Sequence, residues 1–342
     1  MSRVISRLIA CILIVAGTVV GWLWYYANAA RDLGTAPVEF TIEQGSSLRI
    51  VAGQLARHDV VRHPLGFVWL ARLLGKAGTL KAGNYALTGS VSPLNVLDII
   101  SSGKVVLEEL RIIEGWAFRQ MRDVLDHHPA LKHETTGIDE AAILALLGSD
   151  FKVAEGLFFP DTYYFSRGMA DTSILRRAYG LMQSRLERAW SEREPGLPFD
   201  DPYQVLILAS IVEKETGQAA ERPLIAGVFI NRLKRGMKLQ TDPTVIYGLG
   251  QGFDGNLTRN DLITDNRYNT YTREGLPPTP IALPGAAAIL AVLRPARTSA
   301  LYFVAKGDGS HVFSDTLDQH NRAVARYQLR RNSQQKAVDH KR

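Results

Sequence analysis

Cysteine is almost missing from this sequence. Cys11 stands alone among 342 residues, so no intrachain disulfide can form and two-cysteine metal motifs are excluded. Histidine offers no substitute. The eight histidines include no H-x-x-x-H pair on an expected helix, and His127-His128, just before Pro129, reads as a solvated turn. No metal and no cofactor is expected. Concentrated basic charge is missing too. Forty Lys+Arg stand against 34 Asp+Glu, a net +6, with no long basic block interleaved with aromatics. Nucleic acid is therefore not an expected partner, whereas anionic lipid or an anionic polymer fits a weakly basic surface. What remains is ordinary globular composition, 46% hydrophobic and 22% charged, long enough for two modest domains or one large one with appendages.

One long apolar run is present. Arg3 and Arg7 precede Leu8–Ala27, twenty residues without a charge. At about 1.5 Å per residue this segment spans a bilayer core of about 30 Å. Trp22, Trp24, Tyr25 and Tyr26 gather at its far end, where amphipathic rings favour the headgroup zone. The leading arginines keep the N-terminus cytoplasmic and send the rest across. Ala27-Asn28-Ala29 has the shape of a signal-peptidase site, which leaves a cleaved signal as the alternative. The run is longer than the usual apolar core of a signal, about 7–15 residues, so a retained anchor over 1–30 is the preferred expectation.

The exported part reads as α+β. After a linker over 30–37, Val38–Ile42 alternates like a strand, and Ser46 or Ser47 caps a helix over Leu48–Arg57. A second helix fits Pro64–Leu74, a short strand fits 80–87, a helix fits Ser92–Ser102, and Val105–Ile113 is strand-like. Residues 114–150 are mostly helical with a polar break near 132–137. The stretch EGLFFPDTYYFSRG, 155–168, is dense in aromatics; it is either core or, around the Pro160-Asp161 turn, a platform for sugar rings. Helices follow over Ser173–Arg193, from Pro202 behind an Asp200 or Asp201 cap, and up to Lys234. Residues 266–285 carry four prolines and form no long helix, and an extended polar-aromatic loop of that length is uncommon unless functional. LYFVAKGDGSHVFS, 301–314, is a hairpin, and Asp315–Tyr327 a last helix before a polar tail, 329–342.

The helix behind Pro202 ends in LASIVEKETG, with Glu213 and Glu215 two positions apart. At about 100° per residue they point about 200° apart and cannot line one cleft together. Glu213 continues the face of Leu206, Ala209 and Ser210; Glu215 continues that of Leu208 and Ile211. Both faces are apolar, so periodicity does not choose between them. Carboxylates at a helix C-terminus oppose the macrodipole, at about 0.3–1 kcal/mol each, and need an offset. A carboxyl held against apolar surface has a raised pKa, which suits a proton donor to a glycosidic bond.

Seven strings occur in order: EGLFFPDTY, LASIVEKET, GVFINRL, LQTDPTVIYG, YNTY, GLPPTPI and LYFVAKGDGSHVFS. Together with the preceding anchor, they resemble the MltG/YceG-like endolytic murein transglycosylases over roughly residues 38–328. The opening VEFTIEQGSSLRIVAGQLA and the return LKAGNYAL also resemble a LysM-like carbohydrate-binding module. The resemblance implies a transmembrane anchor over 1–30, a linker and LysM-like module over 31–113 and a mixed α+β catalytic domain over 114–328. It implies a lyase of the bacterial inner membrane, crossing once, its catalytic domain periplasmic. Such an enzyme cuts peptidoglycan glycan strands internally and leaves 1,6-anhydromuramic ends, in partnership with glycan-polymerising synthases. It implies Glu213, the first glutamate of IVEKET, as the catalytic acid, with Tyr268 and Asn269 in the substrate cleft; Gln240 and Asp242 are further cleft candidates. A hydrolytic muramidase using Asp161 or Asp242 as second carboxylate, and a non-catalytic wall-binding scaffold, are the alternatives.

Overall fold

A computed structural model describes residues 2–34 and 37–329. Most of the expected polar tail, from 330 onward, and part of the expected linker lie outside the described residues. The fold is mixed α+β and begins with an apolar helix, α1 (Ser2–Asn28). Its stretch Arg7–Asn28 is long and apolar enough to cross a membrane, and none of its apolar window is buried in the protein. The chain divides into two compact units, Met1–Glu109 with Tyr164–Met169, and Leu110–Tyr163 with Ala170–Arg342.

In the first unit, the expected linker contains a short strand, β1 (Arg31–Asp32), because its backbone finds a partner in β4 (Ser90–Val91). β2 (Val38–Ile42) leads through α2 (Leu48–Arg57) and α3 (Pro64–Leu73) to β3 (Gly83–Leu87). β2 and β3 pair antiparallel with Phe40 opposite Tyr85, whose rings stack 5.6 Å apart between centroids. Ser47 caps α2 by accepting from the Ile50 amide, and Ser92 caps α4 (Pro93–Ser102). Gly103 ends α4 in the left-handed conformation, φ 73°, which glycine enters without a Cβ penalty. Val51, Leu55, Phe67, Tyr85 and Leu97 form the buried centre of this unit.

The chain then runs through β5 (Glu108–Arg111), shorter than the strand expected over Val105–Ile113, α5 (Phe118–His127) and α6 (Glu140–Leu146) to β6 (Thr162–Phe165), which pairs with β5. In the aromatic stretch Phe158, Phe159, Tyr163 and Phe165 are buried, and Tyr164 is exposed. Four of the five rings are thus core.

The second unit is built around α8 (Pro202–Glu215). Every residue from Val205 to Val212 is buried, so this helix is apolar all round and sits inside its unit. α7 (Asp171–Ser191), α9 (Arg222–Lys234) and α12 (Ala286–Leu293) pack against it. Asp201 caps α8 by accepting from the Gln204 amide at 3.0 Å, and Pro202 occupies the first turn. α10 (Asp242–Leu249) and α11 (Arg259–Ile263) follow α9; β7 (Tyr302–Ala305) and β8 (His311–Ser314) form the expected hairpin, and α13 (Leu317–Val324) follows.

The proline-rich loop is anchored on α8. Ser210 Oγ donates to the Ile207 carbonyl at 2.7 Å and accepts from the Ile281 amide at 2.9 Å, both out of water. Replacing Ser210 with alanine orphans the Ile281 N–H. Urea unfolding of Ser210→Ala should show a loss of about 1–3 kcal/mol; an unchanged midpoint would mean that this bond does not hold the loop.

Candidate active site

The two glutamates at the end of α8 go to different surroundings, as their angular separation requires. Glu213 has a side chain 5% exposed and meets the Arg222 guanidinium at 3.2 Å, at the first residue of α9. Its other oxygen accepts the Gly285 amide at 2.9 Å, at the N-cap of α12. The macrodipole conflict at the end of α8 is thereby offset: a cation and the positive end of another helix hold the Glu213 carboxylate. Its charge, after burial itself, helps push the neighbouring Glu114 carboxyl up. Glu213 is a tie between three helices.

Glu215 faces a cavity of about 500 Å³. Its side chain is half-buried by area because it looks into this opening, yet protein atoms hem it in on the other sides. Thr241 donates its hydroxyl to one carboxylate oxygen. Burial pushes the Glu215 carboxyl from the ordinary 4.5 up to about 7, and the charge of Asp242 adds to the rise; the Thr241 hydrogen bond, His311 and Arg232 oppose it. A carboxylic acid that keeps its proton near neutrality therefore stands in the wall of a solvent-open cavity.

Gln240 and Asp242 share that wall with Glu215. Asp242 opens α10 and accepts the Tyr271 hydroxyl at 2.6 Å. Gln240 has φ 49°, a left-handed conformation that non-glycine residues seldom hold. Arg232 enforces it. This buried guanidinium donates from Nη1 to the carbonyls of Lys238 (3.1 Å) and Leu239 (2.9 Å) and to Gln240 Oε1 (3.3 Å), and from Nε to the Leu301 carbonyl (2.6 Å). Arginine only donates, so the Gln240 carboxamide must turn its oxygen to Arg232, and its NH2 group is left as a donor on the cavity side. Tyr302, His311 and His320 also line the cavity. Glu221 holds His311 in place, accepting from its backbone amide (2.9 Å) and pairing with its ring Nδ1 (2.7 Å).

Tyr268 and Asn269 lie elsewhere, on a separate recess with Arg267, Thr270 and Glu274. The Tyr268 hydroxyl bonds Thr279 at 3.0 Å and its ring meets Tyr247 edge-on. Asn269 is fully buried; its NH2 donates to the carbonyls of Asp261, Leu262 and Thr264, and its oxygen accepts the Tyr271 amide. Its side chain shapes the loop, with its amide and its oxygen both bonded within the protein. Asp161 is also absent from the Glu215 cavity lining; its carboxylate accepts the adjacent Thr162 amide.

A family model described as the YceG-like family matches residues 40–326. The chain belongs to the YceG-like family. A relative in Bacillus subtilis named endolytic murein transglycosylase is 32% identical over 85% of this chain and 84% of its own length. A Streptococcus pneumoniae protein of the same name is 29% identical over 84% of this chain, which spans 57% of that longer relative. The crystal structure of a yceG-like protein from Listeria monocytogenes superposes with a TM-score of 0.54 at 29% identity, covering 84% of this chain and 98% of that one.

Sequence reasoning about this YceG-like chain missed Tyr271, Arg232, His311 and His320 as cavity residues. Tyr271 was within reach, as the second tyrosine of YNTY. Arg232 left a fainter signal, a cation inside the otherwise apolar run VFINRL. The two histidines meet the cavity only through the fold of β8 and α13.

The two glutamates should respond differently to neutralisation. Between 4.5 and about 7 the folded chain binds the Glu215 proton more tightly than the unfolded chain does, so stability falls as pH rises through this window, and the cost persists above it. Glu215→Gln removes that cost and should gain roughly 1–3 kcal/mol over wild type at pH 8 while gaining nothing at pH 4. Glu213→Ala strands Arg222 and should lose about 3 kcal/mol at pH 8. Thermal unfolding of the variants across pH measures both effects; equal responses would contradict the assignment of separate roles.

Proposed function

We propose that this chain is an endolytic murein transglycosylase whose proton donor is Glu215, with Glu213 as a structural carboxylate. The observation that carries the reading is the Glu215 carboxyl pushed up to about 7 in the wall of a cavity of about 500 Å³. Family membership and the names of the relatives support the reaction class. The resemblance of IVEKET implied Glu213, but an acid must reach substrate and carry a proton. Glu213 is committed to Arg222 and Gly285.

The reaction needs one protein carboxyl. Glu215 gives its proton to the glycosidic oxygen between N-acetylmuramic acid and N-acetylglucosamine, and the C1–O bond breaks. The muramyl 2-acetamido carbonyl meets the developing positive charge at C1. The Glu215 carboxylate then takes the proton of the C6 hydroxyl, whose oxygen attacks C1 and closes the 1,6-anhydro ring. The proton returns to Glu215, and water is not consumed. Gln240, with its NH2 fixed as donor by Arg232, holds the acetamido carbonyl. Asp242 beside Glu215 favours one second reading, a hydrolase with two carboxylates; its bond from Tyr271 fits a group that tunes Glu215 instead.

Around this centre we read residues 31–113 as a LysM-like module that binds glycan and 114–328 as the catalytic domain. The order β2, α2, α3, β3 in one compact unit supports the first assignment. α1 is read as a retained single-pass anchor in the inner membrane, N-terminus cytoplasmic and both modules periplasmic, beside the synthases that supply nascent strands. The burial of Tyr26 and Ala27 in the first unit's core supports retention, because cleavage after Ala29 would remove them.

Sacculi digested by the wild-type chain should yield anhydromuramic ends. Hydrolysis would give reducing ends heavier by one water, about 18 Da, and would sink the lytic mechanism. Glu215→Gln should lower the rate at least about 10³-fold, whereas Glu213→Gln should keep the specific activity of its folded fraction within about tenfold. Wild-type activity should fall as pH rises above about 7, as the donor loses its proton. Gln240→Met should cost about 10-fold or more in kcat/KM on N-acetylated strands and little on de-N-acetylated ones. An unchanged preference would remove Gln240 from the acetamido role.

A further inference from the structure

The outward face of α3 is apolar. Leu65, Trp69 and Leu73 recur every four residues and so form one stripe, and they are 69%, 61% and 70% exposed. The opposite face, with Phe67, Leu70 and Ala71, is buried in the core of the first unit. Folding accounts for the inner face only. A contiguous exposed stripe of large apolar side chains on a helix marks a surface that something covers.

The position of α3 identifies what covers it. Gly66 approaches the end of α1 so closely that a Cβ there would lie 3.1 Å from ring atoms of both Trp22 and Tyr26. The Tyr26 hydroxyl donates to the His63 carbonyl at 2.9 Å, on the N-cap of α3, and Trp22 stacks on Tyr26 with centroids 5.5 Å apart. The helix that carries the stripe therefore begins where the apolar run Arg7–Asn28 ends, and the last turns of that run also carry the exposed rings of Trp24 and Tyr25. Such rings at the end of an apolar span settle at headgroup depth. Cations edge the stripe: Arg62 is exposed just before α3, and the Arg72 guanidinium lies 5.8 Å from the centre of the Trp69 ring. Apolar side chains flanked by arginines are the chemistry of a helix lying in an anionic bilayer surface.

We propose that α3 lies in the headgroup layer of the bilayer that α1 crosses, with Leu65, Trp69 and Leu73 dipping toward the acyl chains. The inference rests on reading α1 as a membrane span. Two elements then hold the first unit on the lipid surface, a crossing helix and a helix in the plane of the interface. Close packing at Gly66 fixes one against the other, so the unit is docked on the membrane and not only tethered to it.

The test uses the full chain in nanodiscs of zwitterionic and anionic phospholipid, in a Cys11→Ser background. Single spin labels are placed through Val15→Cys, Leu65→Cys, Leu73→Cys and Glu43→Cys, all at exposed positions. Relaxation by oxygen, which partitions into lipid, is compared with relaxation by a water-soluble nickel chelate. The labels at 15, 65 and 73 should favour oxygen, and the label at 43 should favour nickel. Labels at 65 and 73 that behave like 43, while 15 remains in lipid, would overturn the proposal and leave the span intact. Labels at 65 and 73 shielded from both reagents, with the shielding lost on dilution to one chain per disc, would overturn it in favour of a second copy of the chain. A label at 15 that favours nickel would overturn the span and the proposal together.

Discussion

The helix α8 imposes one constraint from which the site follows. Its body is buried on every side, and both glutamates of its last turn meet protein groups, while Lys214 between them stays exposed. Two carboxylates two residues apart then point in nearly opposite directions. One reaches a guanidinium and a helix N-terminus, which stabilise charge. The other is desolvated by burial beside a second carboxylate, which together favour its proton over the opposing hydrogen bond from Thr241. The difference in chemistry between Glu213 and Glu215 is set by their surroundings, since the side chains are the same.

The cavity lining beside that carboxyl is organised by a buried cation. Arg232 collects three backbone carbonyls and the Gln240 carboxamide oxygen, and so joins α9, the segment leading into α10 and the start of the hairpin. It also holds Gln240 in a backbone conformation that costs about 1–3 kcal/mol. Strain of this kind persists where its neighbours over-determine it, and here it directs a donor into the cavity. Asp242 and Thr241, the next residues along, are set by the same turn.

Much of the fold was legible because its local signals agree with its packing. Ser47 and Asp201, each one of two adjacent candidates, cap their helices, and Pro64 and Pro202 sit in first turns as expected. The strand at Arg31–Asp32 was not legible, since its two residues carry no alternation and owe their form to Ser90 and Val91. Gln240 and Asp242, named from the sequence as cleft candidates, line the same cavity as Glu215, and helix geometry had already separated the two glutamates. The choice between them was not legible, because the faces above both are apolar and only Arg222 and Gly285, 9 and 72 residues away in sequence, distinguish them. Asn269 was ambiguous for a related reason: a buried asparagine that shapes a turn and one that binds a ligand look alike in a polar-aromatic loop.

The claim on which the site reading depends is that Glu215 holds its proton near neutrality. Carbon-13 NMR of the chain labelled at glutamate side-chain carboxyls measures this directly, with Glu215→Gln and Glu213→Gln for assignment. A carboxyl that titrates near 7, vanishes in Glu215→Gln and persists in Glu213→Gln is the predicted result. A Glu215 carboxyl that titrates near 4.5, with the elevated titration lost in Glu213→Gln instead, would contradict it.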